Sequence, residues 1–495
     1  MPFRFLCFNS QKKRKNKVRK QKRKGCIKIK KEKAPILRLP ARASVWYTSA
    51  SFISRGITFL STPLFTRLLS GTDYGVYPLY VGWMALFSVV STLEIGGSVL
   101  YGGFVKFKGA ENDFTKSALI TLLGVFTVLL IPALVLIRPL SHLSGLPVIL
   151  LYVMALHIIA EAVGSLFSSR WRYFYSYKKV FAANVIPSVT APLIALVIIS
   201  ITPPYARSLG AAISAVFAAA VIFLISRKAL GKAQGKMVGY VLKCSALFMP
   251  QLLFSAVISN ADKLLISRKF GSSALAKYSV AHSLGLALTF FTVGIYGALK
   301  PWIIRKLSRG DRDGVAKTTA SLFGLSCIFS VALAALAPEL FSLLAPKEYF
   351  GAIGAVYVFT LTVLPMLLSG VMSVIFIQRE KVWLISVITA LAAVFNIALN
   401  LILLERFSYT AAAFSALAAQ LFITLAEWFI LGKSVIGGNM IWGRFAFCSL
   451  AVFALYFLRE YPILRIIALP CLIPFAYRTS RKLFRLIKEV KADAG

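Results

Sequence analysis

Acidic and histidine side chains are scarce in this chain. Its 495 residues include 17 Asp and Glu against 57 Lys and Arg, and only three histidines. The sequence contains no histidine cluster of the kind that binds metal, and it lacks the GxxxxGK[ST] pattern that cradles nucleotide phosphates. An ATP-hydrolysing domain within the chain is therefore excluded, and we expect neither a cofactor nor a metal.

Paired cysteines and long polar loops are missing as well. The six cysteines are widely separated, and four of them (Cys244, Cys327, Cys448, Cys471) fall inside apolar segments. This distribution indicates neither CxxC redox chemistry nor a disulfide framework, so we interpret the thiols as small core hydrophobes. No loop exceeds roughly twenty residues, which leaves no room for the large outer domain that membrane glycan polymerases and transferases usually carry.

Apolar residues dominate what is present. They make up 58% of the chain, charged residues only 15%, and the mean hydropathy is +0.77, which is typical of a membrane protein. The net charge of +40 is concentrated outside the apolar segments. Residues 1–43 alone hold 17 Lys or Arg and one acid, Glu32, and are predicted to be a disordered basic extension.

Runs of about 20 apolar residues, the length that crosses a bilayer, predict an all-α polytopic membrane protein with about 14 transmembrane helices. With loops assigned alternately to the two sides, 22 basic residues lie on the side of the N-terminus and 10 on the other. Basic loops face the cytoplasm, so we expect both termini to be cytoplasmic, in the inner (cytoplasmic) membrane. The first helix is long and shows no cleavage pattern, so we expect it to be retained.

An internal repeat at an offset of 201 residues suggests how these helices are grouped. The segment from Ala211 to Ala215 recurs from Ala412 to Ala416, Leu230-Gly-Lys recurs at Leu431, and Tyr77 corresponds to Tyr278. A repeat of six helices predicts two parallel lobes. The expected segments are 44–236 (helices 1–6), 237–435 (helices 7–12), 436–478 (helices 13 and 14) and a basic tail, 479–495.

Charged residues inside apolar spans are costly and need a partner, water or a function. Arg55 stands about ten residues into the first span, near the midplane at 1.5 Å per residue. Two interpretations of Arg55 are open: it is either an anion ligand in a central cavity or one partner of a structural ion pair with Glu94 or Glu161.

Other polar residues within the spans also allow two interpretations each. His157 and Glu161 share a helix face and form either a proton relay or a packing hydrogen bond. Asn396, Asn400 and Gln420 either bond between helices or line a cavity. Lys263 fits a snorkelling side chain, whereas its neighbour Asp262 needs a donor.

Several short motifs together resemble the polysaccharide flippases of the Wzx type, in the superfamily of multidrug and oligosaccharidyl-lipid exporters. They are the segments from Ser54 to Leu60 and from Thr66 to Tyr77, the seventh-helix stretch from Asn260 to Leu265, and the loop pieces Lys300-Pro-Trp and Ser308 to Asp311. The pair Asn396 and Asn400 resembles that family's eleventh helix. The matches run from about residue 45 to 435. The departures are Tyr409-Thr-Ala-Ala-Ala413, where the family has Gly-Ala-Ala, and the long basic extension.

The resemblance implies a MATE- and MurJ-like fold, with two C-terminal helices added, and a monomeric transporter rather than an enzyme. Its substrate would be a polyprenyl-diphosphate-linked oligosaccharide, moved to the outer leaflet by alternating access, and its partners glycan polymerase and ligase machinery. Arg55 would draw in the diphosphate, Arg67 would help its release, and Lys263 and Lys277 would receive the head group. Glu94, Glu161 and Asp262, with His157, would balance charge or couple an ion, while Asn396, Asn400 and Gln420 would line the cavity.

Other interpretations remain for the whole chain and for its basic extension. A cation-coupled multidrug exporter of the same superfamily should show a cavity of carboxylates and aromatic rings. A membrane-embedded glycan polymerase or transferase should show long outer loops.

For the extension we expect attraction to anionic membrane lipids rather than nucleic-acid binding, and an over-extended gene start is a third interpretation.

Overall fold

The structure is a computed structural model that describes residues 38–290, 303–304, 306–307, 310–379, 381–431, 438–468 and 470. The chain divides into two units, 1–42 and 43–495. Of the first unit only residues 38–42 are described, and they are helical. The rest of the predicted basic extension, the basic tail and most of the predicted fourteenth span lie outside the described residues.

All regular elements in the described part of the chain are helices. In chain order they are α1 Arg38–Leu68, α2 Gly71–Thr92, α3 Ser98–Lys106, α4 Glu111–Val135, α5 Ile137–Ser144, α6 Val148–Tyr173, α7 Tyr177–Ile198, α8 Ala206–Ser226, α9 Gly235–Gly285, α10 Arg312–Ala335, α11 Ala337–Leu344, α12 Ile353–Gln378, α13 Val382–Arg406, α14 Ala412–Leu431, α15 Gly438–Phe457 and α16 Pro462–Ala468.

The predicted all-α polytopic membrane fold is confirmed. Eleven of the described helices are long and apolar enough to cross a bilayer. One of them, α9, has 51 residues and contains two crossings, because Gly271 at φ 80° and ψ 175° breaks its helical backbone. A positive φ costs glycine little, so the seventh helix ends and the eighth begins at this residue. The 31-residue α1 is also long enough to span, so the described residues contain 13 crossings, which agrees with the prediction of about 14.

The internal repeat extends to the order and bounds of the helices. The first-half pair α4 and α5 begins at Glu111 and Ile137, and the second-half pair α10 and α11 begins at Arg312 and Ala337. α2 begins at Gly71, and the second arm of α9 follows Gly271. Each long helix of the first half thus has a counterpart close to 201 residues later, as two parallel six-helix lobes require.

Local signals moved some helix ends away from the predicted ones. The apolar run of the second span extends from Tyr77 to Leu100, but α2 begins at Gly71 because the Ser70 side chain accepts a hydrogen bond from the Asp73 N–H. It ends at Thr92 because Leu93 and Glu94 are both left-handed, at φ 48° and 47°. Hydropathy does not register such caps, nor did it predict the short helices α3, α5 and α11.

We call the end of the bundle where α1 ends and α2 begins the outer end, and the opposite end the inner end. The two halves approach closely at the outer end. A Cβ on Gly75 of α2 would lie 1.9 Å from the carbonyl oxygen of Ser272, just beyond the kink in α9. Only glycine permits this contact. Thr66 Oγ1 also donates to the Leu344 carbonyl oxygen at the end of α11, at 2.7 Å.

Candidate functional site

A cavity of about 910 Å³ lies in the first half of the bundle. Its walls come from α1, α2, α6, α7 and α8, the turn after α2, and the first arm of α9. Nine serines contribute to the wall: Ser61, Ser88, Ser165, Ser168, Ser169, Ser188, Ser214, Ser255 and Ser259. Hydroxyl groups both donate and accept hydrogen bonds, so this surface suits a polar, hydroxyl-rich ligand.

Arg207, in the first turn of α8, lies at the outer end of the cavity. Its guanidinium carbon is 4.9 Å from the Phe65 ring centroid, 4.6 Å from that of Tyr74 and 4.2 Å from that of Tyr77. These cation–π contacts hold the side chain in place. Its buried Nη1 has no hydrogen-bond partner within the described residues, so the guanidinium retains a free donor.

The aromatic rings around Arg207 also close the outer end. The Tyr74 ring stands edge-on to that of Tyr349, from the second half, with centroids 6.2 Å apart. The predicted release residue, Arg67, reinforces this closure. Its Nη2 donates to the Leu343 carbonyl oxygen at 3.0 Å and its Nη1 to the Pro63 carbonyl oxygen at 3.0 Å. Arg67 therefore joins the halves and does not line the cavity within the described residues.

A second arginine, Arg172, lines the cavity from the last turn of α6, at the inner end. Its side chain is exposed, and its guanidinium carbon lies 5.7 Å from the Tyr47 ring centroid. Since Arg207 stands at the opposite, closed end, cations occupy both ends of the cavity. An anionic ligand entering from the inner side would meet Arg172 first.

Two carboxylates lie in the cavity wall with these arginines. Glu94 reaches it from the turn between α2 and α3, where two consecutive non-glycine residues adopt left-handed backbone conformations. Such backbone strain is common at functional sites. Glu161 lines the cavity from α6 with a side chain that is 58% exposed. The cavity thus carries both signs of charge.

The predicted His157–Glu161 contact is present. His157 Nε2 lies 3.6 Å from Glu161 Oε1, and its Nδ1 is 3.0 Å from the Tyr80 hydroxyl. The imidazole is buried and its ring stacks on Tyr80. A chain from Tyr80 through His157 to the exposed Glu161 fits a proton relay and a packing contact equally well, so both interpretations stay open.

Arg55 lies outside the described wall of this cavity. Its side chain is exposed. No ion pair between it and Glu94 or Glu161 is found among the described residues. Thr58, one turn along α1, does line the cavity. A role for Arg55 as an anion ligand stays a prediction.

Asp262 and Lys263 lie in the first arm of α9, apart from the cavity wall. Asp262 is buried, accepts a hydrogen bond from the Tyr278 hydroxyl and accepts another from the Lys263 N–H at 2.8 Å. Its required donor is thus found. Lys263 is half-buried, and its Nζ donates to Asn260 Oδ1 at 3.1 Å. Of these residues only Asn260 lines the cavity.

The remaining predicted cavity residues of the second half are also absent from the wall within the described residues. Asn400 Nδ2 donates to Asn396 Oδ1 at 3.2 Å, and the Ser415 hydroxyl donates to Asn400 Oδ1 at 2.6 Å. This bonding joins α13 to α14, which agrees with the interhelical interpretation. Lys277 and Gln420 are half-buried. The structure therefore gathers Glu94, His157 and Glu161 and leaves the other predicted residues elsewhere.

Sequence reasoning missed both cavity arginines. Arg207 and Arg172 stand near the ends of apolar runs in the sequence, where a basic residue ordinarily belongs to a loop. The aromatic residues before Arg207 in α1 and α2 were a possible signal, but nothing in the sequence placed them beside α8. It also missed Glu427 of α14, a fully buried carboxylate.

Comparison with solved structures shows the fold. A lipid II flippase, MurJ, in its inward closed conformation has a TM-score of 0.65 at 15% identity, covering 89% of this chain and 99% of its own. An outward-facing multidrug resistance MATE family transporter of the MOP superfamily has a TM-score of 0.56 at 11% identity, covering 86% and 99%. An inward-facing MATE family transporter has a TM-score of 0.57 at 12% identity, covering 83% and 95%.

Sequence comparison gives the family. No curated protein matches the chain significantly. Residues 41–307 match the family described as polysaccharide biosynthesis protein, and residues 246–402 match the MatE family. The first match covers more than half of the chain. The protein therefore belongs to the polysaccharide biosynthesis protein family, within the multidrug, oligosaccharidyl-lipid and polysaccharide exporter superfamily of multi-pass membrane transporters and flippases.

Proposed function

We propose that the protein is a flippase that moves a polyprenyl-diphosphate-linked oligosaccharide across the cytoplasmic membrane, with both termini in the cytoplasm. The observation that carries this proposal is Arg207. A guanidinium with a free buried donor stands at the closed end of a cavity rich in hydroxyls. Arginine binds phosphate oxygens through paired donors, and the serine wall offers hydrogen bonds to sugars.

The size and polarity of the cavity agree with such a substrate. A volume of about 910 Å³ lies near the upper end of ordinary ligand pockets and admits the diphosphate with its first sugars. The diphosphate cannot cross hydrocarbon alone, because burying unpaired charge is costly. In this mechanism Arg172 attracts the diphosphate at the inner end and Arg207 holds it deeper in. The lipid tail stays in the bilayer.

Release requires the halves to separate at the outer end. The contacts of Thr66, Arg67 and Gly75 with the second half hold that end closed here. Breaking them while the inner end closes would expose the cavity to the outer side, which is alternating access. Glu94 and Glu161 then compete for the arginines and help the anion to leave. Arg55, exposed on α1, is kept as a candidate for first contact with the head group.

The test replaces Arg207 by Ala and by Lys and measures surface glycan in cells that depend on this protein. We expect Arg207→Ala to lose at least about tenfold in export, since one charge-assisted contact is worth 1.5–3 kcal/mol. Arg207→Lys should recover only part of it. Arg138→Ala, which removes an exposed arginine on α5, is the matched control, and Arg55→Ala tests the earlier candidate. Unchanged export by Arg207→Ala at normal protein levels would rule the proposal out.

One observation favours a second candidate, a cation-coupled multidrug exporter. Glu94 and Glu161 share the cavity wall with Tyr77 and Phe65, and carboxylates with aromatic rings suit organic cations. Efflux of a cationic dye by the wild-type protein, lost in Glu161→Gln and retained in Arg207→Ala, would favour this candidate. The reverse pattern, with glycan export sensitive to Arg207 and no dye efflux, favours the flippase.

The proposed partners follow from the same chemistry. A flipped lipid-linked glycan must be consumed on the outer side, so glycan polymerase and ligase machinery would act next. The basic residues of 1–43 suit anionic membrane lipids.

A further inference from the structure

Glu427, on α14, is a buried carboxylate that the proposed transport mechanism does not use. It is 1% exposed, and neither of its carboxylate oxygens has a hydrogen-bond partner within the described residues. No described ion pair includes it. An unpaired ionised carboxylate at such a site is costly, and neutralisation by a proton is the usual remedy.

Its polar neighbours are the hydroxyls of Ser369 and Ser373 on α12. The Ser373 hydroxyl already donates its hydrogen to the Ser369 carbonyl oxygen, at 2.9 Å. What that hydroxyl still offers is an acceptor lone pair. A protonated carboxyl can donate to it, whereas an ionised carboxylate cannot.

Most charged groups on the helices packed against α14 are exposed or are hydrogen-bonded to residues other than Glu427. Arg379 and Lys381, between α12 and α13, are exposed, and so are Glu405 and Arg406 at the far end of α13. Arg444 of α15 donates to the Ala320 carbonyl oxygen. The acidic, basic and histidine residues of α9 are Lys236, Lys243, Asp262, Lys263, Arg268, Lys269, Lys277 and His282, and the helix also carries Tyr240, Cys244 and Tyr278. Asp262 accepts hydrogen bonds from the Lys263 N–H and the Tyr278 hydroxyl, and Lys263 Nζ donates to Asn260.

The surroundings of Glu427 allow both proton exchange and movement. It stands four residues before the inner end of α14 at Leu431, about 6 Å along the axis. One turn earlier, the Thr424 hydroxyl donates to the Pro365 carbonyl oxygen of α12 at 2.9 Å. A proline inside a helix removes a backbone hydrogen bond and favours bending. A charge formed on Glu427 would thus act at the contact between α14 and a helix that can bend.

We propose that Glu427 is a proton-binding site of the second half, which carries a proton in this conformation and exchanges it with the inner aqueous phase when α12 and α14 separate. The proton passes between water and a carboxylate oxygen, so no other reactant is required. The idea that proton binding at Glu427 drives transport rests on the proposed function. The idea that Glu427 binds a proton does not.

The adjacent Trp428 provides a reporter. Its indole lies 5.6 Å from the Trp442 ring, centroid to centroid, and its Nε1 is buried without a hydrogen-bond partner in the described part of the chain. We expect the purified wild-type protein in lipid nanodiscs to show a fluorescence change on pH titration. Trp428→Phe and Glu427→Gln should each lose most of this change, and Glu405→Gln, at an exposed acid, should retain it.

A second variant covers the case in which Glu427→Gln fails to fold. Ser373→Ala removes a polar neighbour of the carboxyl group, so the pH of the transition should shift while its amplitude is retained. Infrared difference spectra of wild type and Glu427→Gln should differ by one protonated carboxyl band. The proposal is overturned if Glu427→Gln shows the same pH-dependent fluorescence change as the wild type, or if the wild-type fluorescence does not change with pH. A fluorescence change driven by Na⁺ at fixed pH also overturns it, in favour of a sodium site. No glycan enters these assays, so their result is separate from that of the flippase test.

Discussion

Two arginines of the first half differ in whether their donors are used. Arg170 is 8% exposed, and its guanidinium donates to Thr115 Oγ1 at 2.6 Å and to Asn112 Oδ1 at 2.6 Å. Arg207 has aromatic rings around it and a buried nitrogen without a partner among the described residues. A satisfied cation stabilises the fold, and an unsatisfied one beside a cavity is free to bind a ligand.

At this scale we predict that Arg170→Lys destabilises the protein by about 1–3 kcal/mol. Lysine keeps the charge but cannot reach two acceptors on α4 with the geometry of a guanidinium. The measurement is the thermal unfolding midpoint of purified protein, with Arg172→Lys as the control, because Arg172 is exposed and only two residues away on the same helix. Equal midpoints for Arg170→Lys and wild type would contradict the assignment of Arg170 to a structural role.

At the scale of helices, an ion pair joins the last described helix to the second half. Arg465 of α16 donates through Nη2 to Glu339 Oε1 at 2.7 Å and through Nη1 to Glu339 Oε2 at 2.9 Å. Its Nη1 also donates to the Ala335 carbonyl oxygen at 2.6 Å, at the end of α10. In the sequence Arg465 lies within an apolar run. Its partner lies 126 residues earlier, on a short helix that hydropathy does not detect.

This pair predicts a dependence of stability on pH. The Arg465 guanidinium holds the pKa of Glu339 below its ordinary value. A lowered carboxyl pKa contributes stability above the unfolded-state value, near 4.3, and that stability is lost as the pH falls through the folded-state value. We expect Glu339→Gln to lower the thermal midpoint at neutral pH. The difference from wild type should shrink on acidification.

The control for this prediction is Glu348→Gln, at an acid that follows α11 and shows no ion pair within the described residues. It should leave the midpoint unchanged at both pH values. A Glu339→Gln effect of the same size at neutral and acid pH would show that the carboxylate charge is not what holds α16.

At the scale of the whole transporter, the closure of the outer end is the feature with the clearest consequence. A Cβ on Gly71 would lie 3.9 Å from the Ser273 Cβ, which is within the range of disulfide-bonded cysteines. The two positions belong to opposite halves, so a bond between them would fix the outer end closed.

We therefore expect Gly71→Cys combined with Ser273→Cys to lose transport on oxidation and to regain it on reduction. The measurement is surface glycan export before and after a reducing agent, with each single cysteine variant as control. Export that continues after complete cross-linking would show that the outer end need not open, and would contradict alternating access for this protein.

The sequence by itself determined the membrane class, the approximate number of crossings and the repeat of helices at an offset of about 201 residues. Each depends on composition and spacing along the chain, because a bilayer needs about 20 apolar residues per crossing and a duplicated unit keeps its offset. It also placed His157 beside Glu161, since four residues make one helical turn.

Only the tertiary structure decided which charges share a cavity. Arg207, Phe65 and Tyr77 come from three helices, and Glu94 reaches the wall through a strained turn. Arg55, prominent in the sequence because of its depth in a span, lies outside the described wall. The physical reason is that hydropathy fixes how deep a residue lies, whereas the packing and rotation of each helix fix what its side chain faces.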